Sequence, residues 1–134
     1  MNFKKVLVLA PHTDDGEFGC GGSIVRLIEE KNEVFYAAFS SAEKSVPPGF
    51  PKGILRKEVK EATAKLGIKE SNLILFEYEV RNFPSFRQKI LEDMVELNSE
   101  IKPDVVFLPS TRDTHQDHKV ITEEGFRTFK RITM

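Results

Sequence analysis

Apolar positions along the chain alternate between two periodicities. Lys5-Val-Leu-Val-Leu-Ala10 is a short apolar run with no polar alternation, ended by Pro11. Such a run predicts a strand covered on both faces, as strands of a parallel sheet are. A glycine-rich turn follows, then Ser23 to Lys31, with Ile24, Leu27 and Ile28 at helical spacing. Further strands are predicted at Glu33 to Phe39, Leu73 to Phe76 and Asp104 to Leu108. Helices are predicted at Arg56 to Leu66, with Gly67 as the C-cap, at Pro84 to Ile101, and at Asp117 to Arg131. In the second of these, Phe86, Ile90, Leu91, Met94, Val95 and Leu97 fall mostly on one face. Ser40 to Gly53, rich in Ser, Pro and Gly, reads as loop. Alternating strands and helices imply right-handed crossovers and an α/β fold, three layers around a mainly parallel sheet. No repeat or linker interrupts the pattern, so residues 1–134 read as one domain.

Composition removes several function classes. A net charge of -1, with Lys and Arg interleaved with Glu, is no nucleic-acid footprint. No apolar run approaches the length of a bilayer span, and the apolar stretch before Pro11 is too short for a signal-peptide core. A single cysteine, Cys20, excludes an internal disulfide and fits a reducing cytoplasm.

The candidate chemistry sits at two strand ends. After the first strand comes Pro11-His12-Thr13-Asp14-Asp15-Gly16-Glu17, and after the fourth Pro109-Ser-Thr-Arg112-Asp113-Thr-His115-Gln-Asp117-His118. All 3 histidines lie in these two segments. In an open parallel sheet, ligands bind beyond the carboxyl ends of the strands, so the two segments face each other if strands one and four are neighbours. Catalytic zinc takes three ligands from His and Asp or Glu and leaves a fourth position to water. His12 and Asp15 are three residues apart and His118 offers a third ligand, with Asp14 placed to act as general base. His115 suits an oxyanion donor or the acid for a leaving nitrogen, and Asp117 suits the orientation of a histidine. The same ligand set would take ferrous iron or cobalt. Arg56, Arg81 and Arg112 are candidate contacts to a phosphate or a sugar hydroxyl, beside the plain reading of exposed arginines. Phe83 and Tyr78 are core or rim residues, or stack on a sugar ring.

The first motif, Pro11 to Gly22, resembles the His-Pro-Asp-Asp-Glu-Glu-Leu-Gly-Cys-Gly-Gly signature of the PIG-L/LmbE-like N-acetylglucosamine deacetylases. His115-Gln116-Asp117-His118 is similar to the His-x-Asp-His motif of that family. The resemblance implies a Rossmann-like sheet, zinc on His12, Asp15 and His118, Asp14 as base, and His115 as oxyanion or acid histidine. It implies an N-acetylated amino sugar or its conjugate as substrate. Thr13 and Gly16 depart from the signature without removing a ligand. Family members continue past the last helix, so a C-terminally shortened form is expected, its later part replaced by self-association. Ile121, Phe126, Phe129 and Ile132 are the residues expected to need that partner surface. Two other readings compete. One is a truncated chain that binds metal without turnover. The other is a metallo-β-lactamase-type hydrolase, suggested by Asp113-x-His115-x-Asp117-His118, which requires paired antiparallel strands. A dinucleotide site is disfavoured, because Gly19-Cys20-Gly21-Gly22 lacks the G-x-G-x-x-G spacing.

Overall fold

A computed structural model describes residues 4–13, 15–40, 48–50 and 53–130, the side chains of residues 15–20 excepted. Its strands are β1 (Lys5–Ala10), β2 (Glu33–Ala38), β3 (Leu73–Leu75) and β4 (Val105–Phe107). Its helices are α1 (Asp15–Glu29), α2 (Ile54–Leu66), α3 (Arg87–Ile101) and α4 (Gln116–Thr128), with short 3-10 turns at Glu70–Asn72 and Phe83–Phe86. The sheet runs β3-β2-β1-β4 and every pair is parallel. An all-parallel sheet does not supply the paired antiparallel strands that the metallo-β-lactamase reading requires.

Residues of β1 divide between the two faces of the sheet, as period-two geometry demands. Leu7 and Leu9 join Ile90, Met94, Leu97 and Ile101 of α3 and Val120 and Ile121 of α4 in one core. Val6, Val8 and Ala10 join Ile24 of α1 and Val59 of α2 in the other. Both cores are fully covered, which explains the unbroken apolar run of β1. Gly67 closes α2 at φ 93 with its backbone N–H on Ala64 and Thr63 carbonyls, a left-handed C-cap that glycine adopts without strain.

Several expectations need correction. Helix α1 begins at Asp15, eight residues before the predicted start, so the supposed glycine turn is helical. Glycine costs about 1 kcal/mol per helical position, yet propensity is a weak prior that tertiary context overrides. A Cβ built on Gly21 or Gly22 meets nothing within 4 Å, so neither marks a close approach among the described residues. The close helical glycine is Gly125 in α4, where a Cβ would lie 2.6 Å from Leu108 Cδ2. In α3 the buried face is Ile90, Met94, Leu97 and Ile101, whereas Phe86 and Val95 are exposed. Helix α3 also starts after a 3-10 turn holding Pro84, whose ring suits a helix entrance. Ile121 and Phe129 are completely buried by their own chain, Phe126 is exposed, and Ile132 lies outside the described residues. Of that set, Phe126 alone is exposed among the described residues.

Candidate metal centre

Strand β1 pairs with β4, with Val8 opposite Phe107, so the segments that follow Ala10 and Phe107 emerge side by side at the carboxyl end of the sheet. Tyr36 of β2, fully buried, donates its hydroxyl to the Thr13 carbonyl at 3.1 Å and pins the first segment. The second segment is held by the start of α4. There His115 is the N-cap, its Nδ1 accepting from the Asp117 backbone N–H at 3.1 Å.

The three imidazoles converge. Ring centroids are 5.1 Å apart for His12 and His115, 5.3 Å for His12 and His118, and 4.7 Å for His115 and His118. Ligand-capable atoms of His12, His115 and Asp117 all lie within 4.8 Å of one another. His12 Nε2 is 2.9 Å from Asp117 Oδ2, and its ring meets the edge of buried Phe83 at 5.7 Å. His118 Nδ1 is 2.6 Å from Asp113 Oδ2.

These hydrogen bonds assign tautomers. A carboxylate is an acceptor, so the Asp117 contact puts a proton on His12 Nε2. By the same reasoning His118 donates its Nδ1–H to Asp113. A carboxylate behind an imidazole is the usual support for a metal-ligating histidine. His115 is different. Its Nδ1 already accepts a backbone N–H, so in the neutral ring Nε2 carries the proton and serves as a donor. Proximity groups His115 and Asp117 with His12 as ligand-capable residues. The carboxylate of Asp117, wholly buried, is occupied by His12 and by the backbone N–H groups of Arg81 at 2.6 Å and Phe83 at 3.2 Å. Two imidazole lone pairs beside a carboxylate-rich segment form a donor set that fits zinc or a similar divalent ion.

Asp15 begins α1, and its side chain is outside the described set; Asp14 lies outside the described residues altogether. Arg56 pairs with Glu77, and the Arg112 backbone N–H donates to Ser110 Oγ at 3.1 Å. Tyr78 and Phe83 are core residues, with ring centroids 6.0 Å apart. Burial and a hydrogen bond to Asp93 raise the Tyr78 hydroxyl well above its ordinary range, so it stays protonated as a donor.

From the sequence, Asp113 entered only through the metallo-β-lactamase-type motif, and Gln116 was given no role. The Asp113 carboxylate accepts the His115 backbone N–H at 2.9 Å on one oxygen and holds His118 on the other. That backbone bond is the largest influence and holds it below the usual carboxylate value; burial opposes it, and His118 adds to the lowering. A recoverable signal existed, since Asp often turns the chain by bonding the N–H two residues on. Gln116 Nε2 donates to the Arg81 carbonyl at 2.5 Å, a contact with no sequence signature.

Asp117→Asn is expected to destabilise the fold by about 1–3 kcal/mol. Either amide orientation turns an NH2 group toward a backbone N–H that the carboxylate now satisfies, and an unsatisfied buried group costs that much. Thermal and denaturant unfolding would measure it, and unchanged stability would contradict the assignment.

Comparison with known proteins places the fold in a family. Over 124 residues the chain is 26% identical to a diacetylchitobiose deacetylase of Thermococcus kodakarensis, covering 87% of this chain and 45% of that protein. The structure of an N,N'-diacetylchitobiose deacetylase from Pyrococcus horikoshii, complexed with its inhibitor, superposes with a TM-score of 0.84 at 27% identity. That match covers 95% of this chain and 49% of the other. A conserved protein of Thermus thermophilus matches with a TM-score of 0.73 at 29% identity, over 96% of this chain and 56% of its own. The chain thus spans about half the length of these relatives. The family described as PIG-L, GlcNAc-PI de-N-acetylase, matches residues 7–129, and the chain belongs to that family.

Proposed function

We propose that this chain carries the catalytic centre of a divalent-metal-dependent hydrolase that removes the acetyl group from an N-acetylated amino sugar or its conjugate. The observation that carries the reading is the convergence of three imidazoles at the carboxyl ends of β1 and β4, with carboxylates behind His12 and His118. His12, Asp15 and His118 would hold the ion, zinc by donor type. When bound, such an ion supplies Lewis acidity, acidifying water and polarising an amide carbonyl. Asp14 takes the proton of the attacking water. His115 presents Nε2–H to the oxygen that becomes negative, and the proton that Asp14 has taken passes on to the departing amine. Asp117 orients His12, and Asp113 orients His118.

The substrate class follows the names of the relatives, both diacetylchitobiose deacetylases. No helix among the described residues is long and apolar enough to cross a membrane. A cytoplasmic setting is proposed from the single cysteine. Self-association is proposed from exposed Phe126 and from the edge strand β4, which among the described residues pairs only with β1. Light scattering across dilution should show an oligomer, and a monomer at micromolar concentration would remove that part of the proposal.

The test is acetate release from N,N'-diacetylchitobiose and other N-acetylglucosamine conjugates, with chelator and with added zinc. Zinc-dependent release is the expected result. Metal binding without release from any conjugate would leave a metal-binding, non-catalytic chain.

A further inference from the structure

We infer that Arg81 is a specificity-determining residue that recognises an anionic substituent, phosphate or carboxylate, on the N-acetylated sugar; this rests on the deacetylase reading above. Three non-glycine residues among those described have positive φ: Lys31 at 70°, Arg81 at 74° and Lys102 at 53°. Lys31 follows the end of α1 and Lys102 caps α3, where a left-handed residue terminates a helix. Arg81 ends no helix. It lies in a turn closed by Asn82 N–H on the Glu79 carbonyl at 3.1 Å, at a position where left-handed φ ordinarily selects glycine or asparagine.

The turn by itself therefore gives no reason for an arginine. What holds the strained backbone is the start of α4: Asp117 Oδ2 accepts the Arg81 N–H at 2.6 Å, and Gln116 Nε2 donates to the Arg81 carbonyl at 2.5 Å. Strain that persists because its surroundings hold it from both sides is a mark of functional sites. The same Asp117 oxygen contacts His12, so the Arg81 backbone stands two short hydrogen bonds from the metal centre. The Arg81 side chain is therefore rooted beside the site where the sugar is proposed to bind.

Its charge is available. Arg26, Arg56, Arg87 and Arg127 each pair with a glutamate, whereas exposed Arg81 has no carboxylate partner among the described residues. A guanidinium binds planar or tetrahedral oxyanions through two parallel N–H bonds, which a neutral hydroxyl matches less well.

The test uses the zinc-loaded chain and its Arg81→Gly and Arg81→Lys variants. Glycine relieves the backbone strain, so loss of folding does not confuse the outcome. Calorimetric binding and acetate release are measured for N-acetylglucosamine, its 1-phosphate, its 6-phosphate and its 6-carboxylate. Wild type is expected to prefer at least one charged sugar, and the responding one tells phosphate from carboxylate. Arg81→Gly should weaken binding of that sugar by about 10- to 100-fold, the worth of a charged hydrogen-bonded pair. The loss should appear in KM rather than kcat, with N-acetylglucosamine and zinc affinity within about twofold of wild type and Arg81→Lys intermediate. Equal losses for neutral and charged sugars, or no loss for either, would overturn the inference. Discrimination in binding with no acetate released from any sugar would leave Arg81 recognition intact and sink the deacetylase reading instead.

Discussion

Asp14→Asn is expected to lower turnover by about 10²–10⁴ while leaving the metal in place, the range that general-base catalysis contributes. Asp14 stands between two anchored points. Thr13 before it is held through its carbonyl by the buried hydroxyl of Tyr36, and Asp15 after it is the first residue of α1. In the proposed division of roles, Asp15 holds the ion and Asp14 takes the proton of the water. Asparagine keeps the shape and loses the basic oxygen. Single-turnover acetate release and zinc content on the same sample would check the prediction. Near wild-type turnover would remove Asp14 from the mechanism, and lost zinc would make it a ligand.

The second large effect concerns metal affinity and separates a ligand from its support. His118→Ala should weaken zinc binding by more than 100-fold, beyond the about 10- to 100-fold typical of a residue that only orients a ligand. Asp113→Asn should fall inside that smaller range, because the His118 ring survives and loses only the acceptor at Nδ1. His115→Ala should retain zinc and lose rate, since its Nδ1 is committed to the Asp117 N–H. Competition titration against a chromophoric chelator would rank the three. A His115→Ala loss equal to that of His118→Ala would return His115 to the ligand set and reverse the tautomer assignment.

The sequence patterns that proved legible share one cause, local periodicity backed by burial. Strand β1 occupies the predicted residues, and β2 stops one residue short of Phe39. Gly67 caps α2 as its position implied, because a left-handed residue after an apolar-periodic run has few alternatives. The convergence of the two histidine segments was conditional on β1 and β4 being neighbours, and the pairing of Val6 with Val105 supplies that.

What escaped depends on contacts that no local rule describes. Glycines in the first turns of α1 signal a turn locally, and helix formation there is decided by packing of Ile24 beyond them. Ile121 and Phe129 looked exposed to a missing partner because helical spacing shows a face and not what covers it; both belong to the core on the side of the sheet where α3 packs against α4. The clamp from Asp117 and Gln116 onto Arg81 joins a buried carboxylate to backbone groups some 35 residues distant. Backbone donors carry no residue identity, so neither end announces the other.

The most direct measurement is anomalous diffraction at the zinc edge from crystals of the metal-loaded chain. A single peak is predicted, about 2.0–2.2 Å from His12 Nδ1, His118 Nε2 and an Asp15 oxygen, with His115 and Asp117 outside bonding distance. A peak held by His115 and Asp117, or no peak between the ends of β1 and β4, would contradict the account.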